Sequence, residues 1–265
     1  MQREIKAHHR DAIENLVRAY QDDEGFLAII IGGSVAKGCA RDDSDIDFMI
    51  VATEAEYNKR KSAGDLFINR RDLCSYPGGF VDGKIINMEY LHEVADKGNE
   101  PTRAAFDGAF IAHSKMEGLE KVLAGINAYP ELGRKDRMRS YYCMSFIQNW
   151  LMGEAERHGN LYTKSRAASQ LTLHAGRLIL AHNRVLFPYH KWFMHYLEKC
   201  EHKPFHFIEN INRLLVDPSA QNASVLFNSI RDFQDWGVSD HEAYMWFMTE
   251  VEWSWRKGTT PLEDL

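Results

Sequence analysis

In the first third of the chain, the apolar residues follow the spacing of an amphipathic helix in one segment and the patterns of β-strands in two others. From Ile5 to Tyr20, apolar residues recur every three or four positions, which predicts an amphipathic helix. Residues 26–31 are continuously apolar and end at Gly32-Gly33, as in a buried strand. Residues 45–51 alternate between polar and apolar before becoming wholly apolar, so they predict a second strand.

Further along, the pattern predicts more strands and intervening helices. Asp82-Gly83 is a typical hairpin dipeptide, and it predicts a turn followed by a third strand over 84–91. A weaker fourth strand is predicted over 109–113, and helices near 53–62 and 116–127. This half is therefore mixed α and β.

The second half shows no strand pattern. Tyr129-Pro130 and the charged residues after it indicate a domain boundary. Helices are predicted at about 136–157, 165–186, 190–199, 205–216, 221–235 and 239–256. The predicted fold class is α+β: an N-terminal α/β domain with a mixed sheet over 1–128, followed by an all-α helical bundle over 129–265.

Composition limits the partners. The chain of 265 residues is 45% hydrophobic and 26% charged, with a net charge of -6, so it has no basic excess for binding nucleic acid. No apolar run approaches the roughly 20 residues that span a membrane, and the N-terminus lacks a signal-peptide core. The four cysteines are far apart, as suits a reducing compartment. We expect a cytoplasmic protein without nucleic-acid or membrane partners; its oligomeric state is not predicted.

The chemistry concentrates between the first two predicted strands. Gly32-Gly33 allows backbone amides to approach an anion closely, and Ser34 and Lys37 follow with groups that bind phosphate oxygens. Asp45 and Asp47 are two apart on a strand, so their carboxylates share a face. Hard oxygen ligands of this kind suit Mg²⁺, which usually also binds substrate phosphates.

Gly33-Ser34 followed by Asp45-Ile46-Asp47 resembles the signature of the DNA polymerase β-type nucleotidyltransferase superfamily. The longer pattern, which includes Lys37 and Ser44, looks like the small-molecule branch that modifies aminoglycosides and lincosamides. The resemblance implies transfer of a nucleoside monophosphate, commonly AMP from ATP, to an acceptor hydroxyl with two Mg²⁺ ions. It also implies that Gly33, Ser34, Lys37 and Ser44 bind the nucleotide.

The family pattern implies a third carboxylate on a neighbouring strand. Glu89, between Met88 and Tyr90, is the predicted ligand beside Asp45 and Asp47. If Asn87 occupies the ligand position instead, the metal site is weakened. Asp82 is interpreted as a turn residue.

The helical half resembles the C-terminal domains of antibiotic nucleotidyltransferases around residues 182–192. Lys191 is a candidate to bind the triphosphate, and the alternative is a solvated cation beside Trp192. Glu154 is a candidate general base. The acceptor is predicted to be a small molecule, neutral or cationic, bound between the two domains. The alternatives are a protein-modifying adenylyltransferase and a non-catalytic nucleotide-binding module with a decayed site.

Overall fold

A computed structural model describes residues 5–261. The chain divides into two compact units, Met1–Ala128 and Tyr129–Leu265. Each is described by itself below. Among residues 5–261, no helix combines the length and the apolar character needed to cross a membrane.

The N-terminal unit is built on a five-stranded sheet with six helices. The strands are β1 (Phe26–Ile31), β2 (Ile46–Ala52), β3 (Phe67–Arg70), β4 (Val81–Ile86) and β5 (Phe110–Ser114). The helices are α1 (Ala7–Tyr20), α2 (Gly33–Ala36), α3 (Glu54–Ala63), α4 (Met88–Lys97), α5 (Glu100–Ala104) and α6 (Leu119–Asn127).

The sheet is mixed, with strand order β3-β4-β2-β1-β5. Only β2 and β4 run parallel; the other neighbours are antiparallel. β1 lies between β2 and β5 with five of its six residues buried, which explains its continuously apolar sequence. The predicted mixed sheet is confirmed.

Two apolar layers cover the sheet. On one face, α1 packs through Leu16 against residues that include Ile46, Phe48 and Ile50 of β2. On the other face, α4 and α6 pack against the far end of the strands, where Val51 and Ile86 are buried. This second face is the one that carries Asp47, because side chains alternate along a strand.

The sequence-based prediction was wrong around the third strand. Residues 84–91 are not one strand: β4 ends at Ile86, and Asn87 caps the helix α4 by accepting a hydrogen bond from the Tyr90 amide at 3.0 Å. Asp82-Gly83 is not a hairpin turn, since both residues lie within β4. Gly83 is there for space, because a Cβ at this position would lie 2.4 Å from the Phe48 ring.

The C-terminal unit is entirely helical within the described residues. Its α-helices are α7 (Arg134–Arg157), α8 (Leu161–His182), α9 (Phe193–Lys199), α10 (Phe207–Val216), α11 (Ala220–Phe233) and α12 (Asp240–Phe247). α7 packs chiefly along α8. The predicted helix over 239–256 is shorter than expected: the α-helix ends at Phe247, and a π-helical segment, Met248–Glu252, and a 3₁₀ turn, Ser254–Lys257, follow.

Candidate active site

The glycine turn after β1 packs directly against Asp47. The amide of Gly32 donates a hydrogen bond to the Asp47 carbonyl at 2.9 Å, which continues the pairing of β1 with β2 by one residue. Gly33 has a φ of +62°, and a Cβ there would lie 1.7 Å from Oδ2 of Asp47. Only glycine leaves room for this carboxylate, so the turn and the aspartate form one local unit.

A second aspartate lies beside Asp47. In the parallel pairing of β2 with β4, Asp47 is the partner of Asp82, and paired residues of neighbouring strands place their side chains on the same face. Burial and, after it, the negative charge of Asp45 raise the pKa of the Asp82 carboxyl. Asp45, Asp47 and Asp82 therefore form an acidic row at one end of the sheet.

The sheet face that carries this row is open only at that end. Asp47 and Asp82 are partly exposed, whereas Val51 and Ile86, four residues further along the same strands, are buried beneath α4 and α6. The row is extended by Asn69 of the edge strand β3, which pairs with Asp82. This end of the strand pair, called the open end below, therefore leaves the carboxylates partly accessible to solvent.

Ser34 and Lys37 lie on the short helix that starts at Gly33. The Ser34 hydroxyl is buried and has no hydrogen-bond partner among residues 5–261. Burial lowers the pKa of the Lys37 ammonium, while the charges of Asp107, Cys39 and Asp47 oppose that shift. Lys37 is thus held near the acidic row, together with Asp107.

The loop before Asp45 is fixed by hydrogen bonds from distant parts of the unit. The Tyr76 hydroxyl donates to the Ser44 carbonyl at 2.7 Å, and Ser44 Oγ accepts from the Arg41 amide at 2.9 Å. His8 Nε2 lies 3.1 Å from the carbonyl oxygen of Asp42. These contacts hold Asp45 where β2 begins.

The domain that this site belongs to is decided by comparison with protein families. The family model of the nucleotidyltransferase domain matches residues 13–93, a range that includes the glycine turn and all three aspartates. Residues 13–93 are a nucleotidyltransferase domain. The predicted superfamily and enzyme class, nucleotidyl transfer, are confirmed by this match.

Two further comparisons were made. A nucleotidyltransferase-like protein from Exiguobacterium sibiricum is similar in structure, with 10% identity and a TM-score of 0.49 over 94% of this chain and 79% of that one. None of the curated proteins compared with the chain matches it.

The nucleotidyltransferase domain does not bring Glu89 to the acidic row. Glu89 is exposed on the first turn of α4, beyond the opposite end of β4 from Asp82. Ile86 is four positions after Asp82 on β4, which corresponds to roughly 13 Å at about 3.3 Å per residue. The neighbouring Asn87 donates to both oxygens of Glu54, at 3.0 and 2.9 Å, so it has a structural role at that end.

Two other predicted residues, Glu154 and Lys191, belong to the helical unit and not to residues 13–93. Glu154 is on α7 in the helical unit, with an ion pair to Arg157 at 2.9 Å. Lys191 is exposed in the same unit, and its ammonium lies 5.9 Å from the centre of the Trp192 ring. The role of Glu154 as general base and the binding of the triphosphate by Lys191 stay predictions, as does the nucleotide contact of Ser44.

Sequence reasoning missed Asp82 and Asp107. The signal for Asp82 was present, because Val81 and the pair Ile85-Ile86 bound a short strand with an acid in its second position. The Asp-Gly dipeptide favoured a turn instead. Asp107 precedes β5 in a turn, and no local pattern connects it with Lys37.

The acidic row fits a divalent metal bound together with a nucleotide. Within the described part of the chain, no three histidine, cysteine, aspartate or glutamate side chains form a metal cage by themselves. Mg²⁺ usually takes one or two carboxylates, several waters and substrate phosphates rather than an all-protein cage. Asp47 and Asp82, with Asp45 next to them, supply donors of the right kind for that arrangement.

Proposed function

We propose that this protein transfers a nucleoside monophosphate from a nucleoside triphosphate, with ATP the expected donor, to a hydroxyl group of a small acceptor. The observation that carries the proposal is the pairing of Asp47 with Asp82 against the Gly33 turn. This pairing supports the proposal because carboxylates suited to a metal then lie near groups suited to phosphate, within a nucleotidyltransferase domain.

In this proposal Asp47 and Asp82, with Asp45 next to them, supply the carboxylates that would hold Mg²⁺ together with waters and the triphosphate. The bound metal would polarise the phosphate under attack and neutralise charge on the leaving pyrophosphate. The presence of two ions is implied only by the resemblance and stays a prediction. Asp82 replaces Glu89 as the proposed third carboxylate, because it is the acid paired with Asp47.

The remaining groups of the site bind and orient the triphosphate. The backbone at Gly33 lies close to the Asp47 carboxylate. The Ser34 hydroxyl, which has no hydrogen-bond partner within residues 5–261, is the proposed donor to a phosphate oxygen once the nucleotide reaches it. The Lys37 ammonium exchanges part of its interaction with Asp107 and Asp47 for the triphosphate. Charge builds on the leaving phosphates during transfer, so contacts to them stabilise the transition state more than the ground state.

The acceptor is proposed to be a small, neutral or cationic molecule with a hydroxyl group. Its support is the overall charge of -6 and the resemblance to enzymes that modify amino sugars, since complementary charge favours encounter with a cation. Antibiotics of this chemistry are therefore the first acceptors to examine. A cytoplasmic location fits this role.

The test is pyrophosphate release from ATP and Mg²⁺ with a panel of aminoglycosides, lincosamides and simple sugars. Acceptor-dependent release by the wild-type chain, lost in Asp47→Asn and retained in Glu89→Gln, is the expected result. Transfer of label from radiolabelled ATP into protein instead of small molecules would show that the acceptor is a protein. Absence of release with every acceptor and every nucleoside triphosphate would contradict the proposal.

A further inference from the structure

A second row of side chains crosses the sheet face that carries the acidic row. In the register of β2 with β4, Met49 is the partner of Lys84, and in the register of β3 with β4, Phe67 is the partner of the same lysine. Phe67 lies two residues before Asn69 on β3, so both side chains are on this face. None of the roles proposed above involves these residues.

The outer part of this second row is exposed. Phe67 is 57% exposed, and Lys84 and Asn69 are exposed as well. Ile68, the residue between Phe67 and Asn69, packs instead on the opposite face of the sheet. The edge of the sheet beside the acidic row therefore presents an aromatic ring, an ammonium group and an amide to solvent.

The position of Phe67 distinguishes it from an ordinary exposed apolar residue. Single exposed apolar side chains are common on protein surfaces and need no explanation. Phe67, however, is the diagonal neighbour of Asp82 across the antiparallel pair of β3 with β4. Diagonal neighbours are roughly 7–8 Å apart, within reach of an aromatic side chain. A six-membered ring with a hydroxyl substituent spans that separation.

The geometry of nucleotidyl transfer places the acceptor on this side of the acidic row, a step that rests on the proposed function. The groups suited to phosphate follow β1, and β1 and β4 lie on opposite sides of β2. The acceptor oxygen bonds to the α-phosphorus as the bond to pyrophosphate breaks, and the hydroxyl proton is released. The attacking and leaving oxygens are roughly in line. With pyrophosphate toward β1, the acceptor hydroxyl approaches over β4 and β3.

We infer that Phe67, Lys84 and Asn69 form the acceptor-binding surface, and that the acceptor is a ring compound with an apolar face, such as a pyranose sugar. Contact between that face and the Phe67 ring removes apolar surface of both from water. The Asn69 amide donates and accepts hydrogen bonds, and the Lys84 ammonium donates them, so both suit the oxygens at the rim of a sugar. An open-chain polyol has the same hydroxyl groups but loses more conformational freedom on binding.

Pairs of a ring and its open-chain form test the acceptor class. The probes are the methyl pyranosides of glucose, galactose and mannose, each compared with its alditol. The full chain is titrated with Mg²⁺ and an ATP analogue that has a methylene group between the α and β phosphates, and then with the probe. The reporters are the NMR resonances of the Gly33 amide and the Phe67 ring. We expect at least one pyranoside to bind at least tenfold more tightly than its alditol, with a saturable shift at Phe67.

The Gly33 resonance separates the failure of this inference from that of the proposed function. A shift at Gly33 shows that the nucleotide is bound before the sugar is added. With that shift present, equal affinities within every pair, or no saturable shift at Phe67, would overturn the inference. No shift at Gly33 would overturn the proposed function itself, and the inference with it.

Variants of Phe67 test the assigned contact. Phe67→Ala is expected to weaken pyranoside binding at least fivefold and to leave the affinity for the ATP analogue within twofold, whereas Phe67→Trp keeps an aromatic face and should retain the sugar. The melting temperature should change little, because Phe67 is mostly exposed. Phe205→Ala is the matched control, since Phe205 is an exposed phenylalanine of the helical unit. Unchanged pyranoside affinity in Phe67→Ala, or an equal loss in Phe205→Ala, would contradict the inference.

Discussion

The two ends of the β2–β4 pair have opposite characters. At one end Asp47 and Asp82 are side by side, partly exposed, next to the Gly33 turn. At the other end Val51 and Ile86 are buried, and Asn87 begins α4 while bonding to Glu54. The same two strands thus carry partly exposed carboxylates at one end and buried apolar side chains at the other.

This difference shows that an acid is better assigned to the site by its position in the fold than by the residues next to it in sequence. Glu89 has the expected apolar flanks, yet it lies on a helix beyond the packed end. Asp82 looks like a turn residue, yet register places it against Asp47. If this contrast is right, substitutions at the open end affect catalysis and those at the packed end affect stability.

The largest expected effect is at Asp47. Asp47→Asn removes the carboxylate closest to Gly33, so turnover is expected to fall by at least about 100-fold, since metal-ion contributions amount to several kcal/mol. The fold should survive, because the change reduces repulsion among acids. Pyrophosphate release and a thermal melt measure the two effects. Turnover near that of the wild type would contradict the assignment of the active site to this end of the sheet.

A comparison of Asp82→Asn with Glu89→Gln sharpens the contrast. The first is expected to lower kcat/KM by at least tenfold, and the second to leave it within about twofold, because only Asp82 is paired with Asp47. Both variants replace an acid by its amide on a partly or fully exposed residue. Reversal of the two effects would restore Glu89 as the third carboxylate.

Lys37→Ala tests the phosphate contact. Loss of a charge-assisted hydrogen bond costs about 1.5–3 kcal/mol, so we expect kcat/KM for ATP to fall by roughly 10- to 150-fold. Steady-state kinetics over a range of ATP concentrations provide the measurement. Lys121→Ala is the control, since Lys121 is exposed on α6. Unchanged kinetics in Lys37→Ala would make it an ordinary helix-end lysine.

At the packed end, Asn87→Ala should affect stability alone. It removes the cap of α4 and the hydrogen bonds to Glu54, and losing a cap costs about 0.5–2 kcal/mol. Urea unfolding measures the loss, while kcat per folded molecule should stay unchanged. A fall in kcat with normal stability would indicate that Asn87 belongs to the site.

The smallest expected effect is a pH-dependent gain of stability in Asp82→Asn. The pKa of Asp82 is raised in the folded chain, so the folded state binds more protons just above the ordinary carboxyl pKa, and stability falls as pH rises through that range. The variant should therefore melt at a slightly higher temperature than the wild type at pH 7, with the gain shrinking at acid pH. Melting curves at both pH values check this, and an equal shift at both would oppose it.

Local patterns were sufficient for much of the fold. The continuous apolar run gave the bounds of β1, and the alternation before Phe48 identified β2, because both strands lie in the centre of the sheet. Edge strand β3 was missed because it has only four residues, and an apolar run as short as Leu66-Phe67-Ile68 does not distinguish a strand from other structure. The end of β4 was misplaced because a capping asparagine within an apolar run does not interrupt the strand pattern.

Only those site residues that are close together in the sequence could be predicted from it. Gly33, Ser34, Lys37, Asp45 and Asp47 lie within fifteen residues of each other, so their spacing was visible. Asp82 and Asp107 join them only through strand register and chain folding.

The most direct test of the central claim is the position of the metal itself. Mn²⁺ in place of Mg²⁺, added with a non-hydrolysable triphosphate, broadens the NMR resonances of nearby residues. The account predicts the strongest broadening at Gly33, Asp47 and Asp82, with Tyr90 at the packed end much less affected. Broadening centred on Asn87 and Glu89 would contradict it.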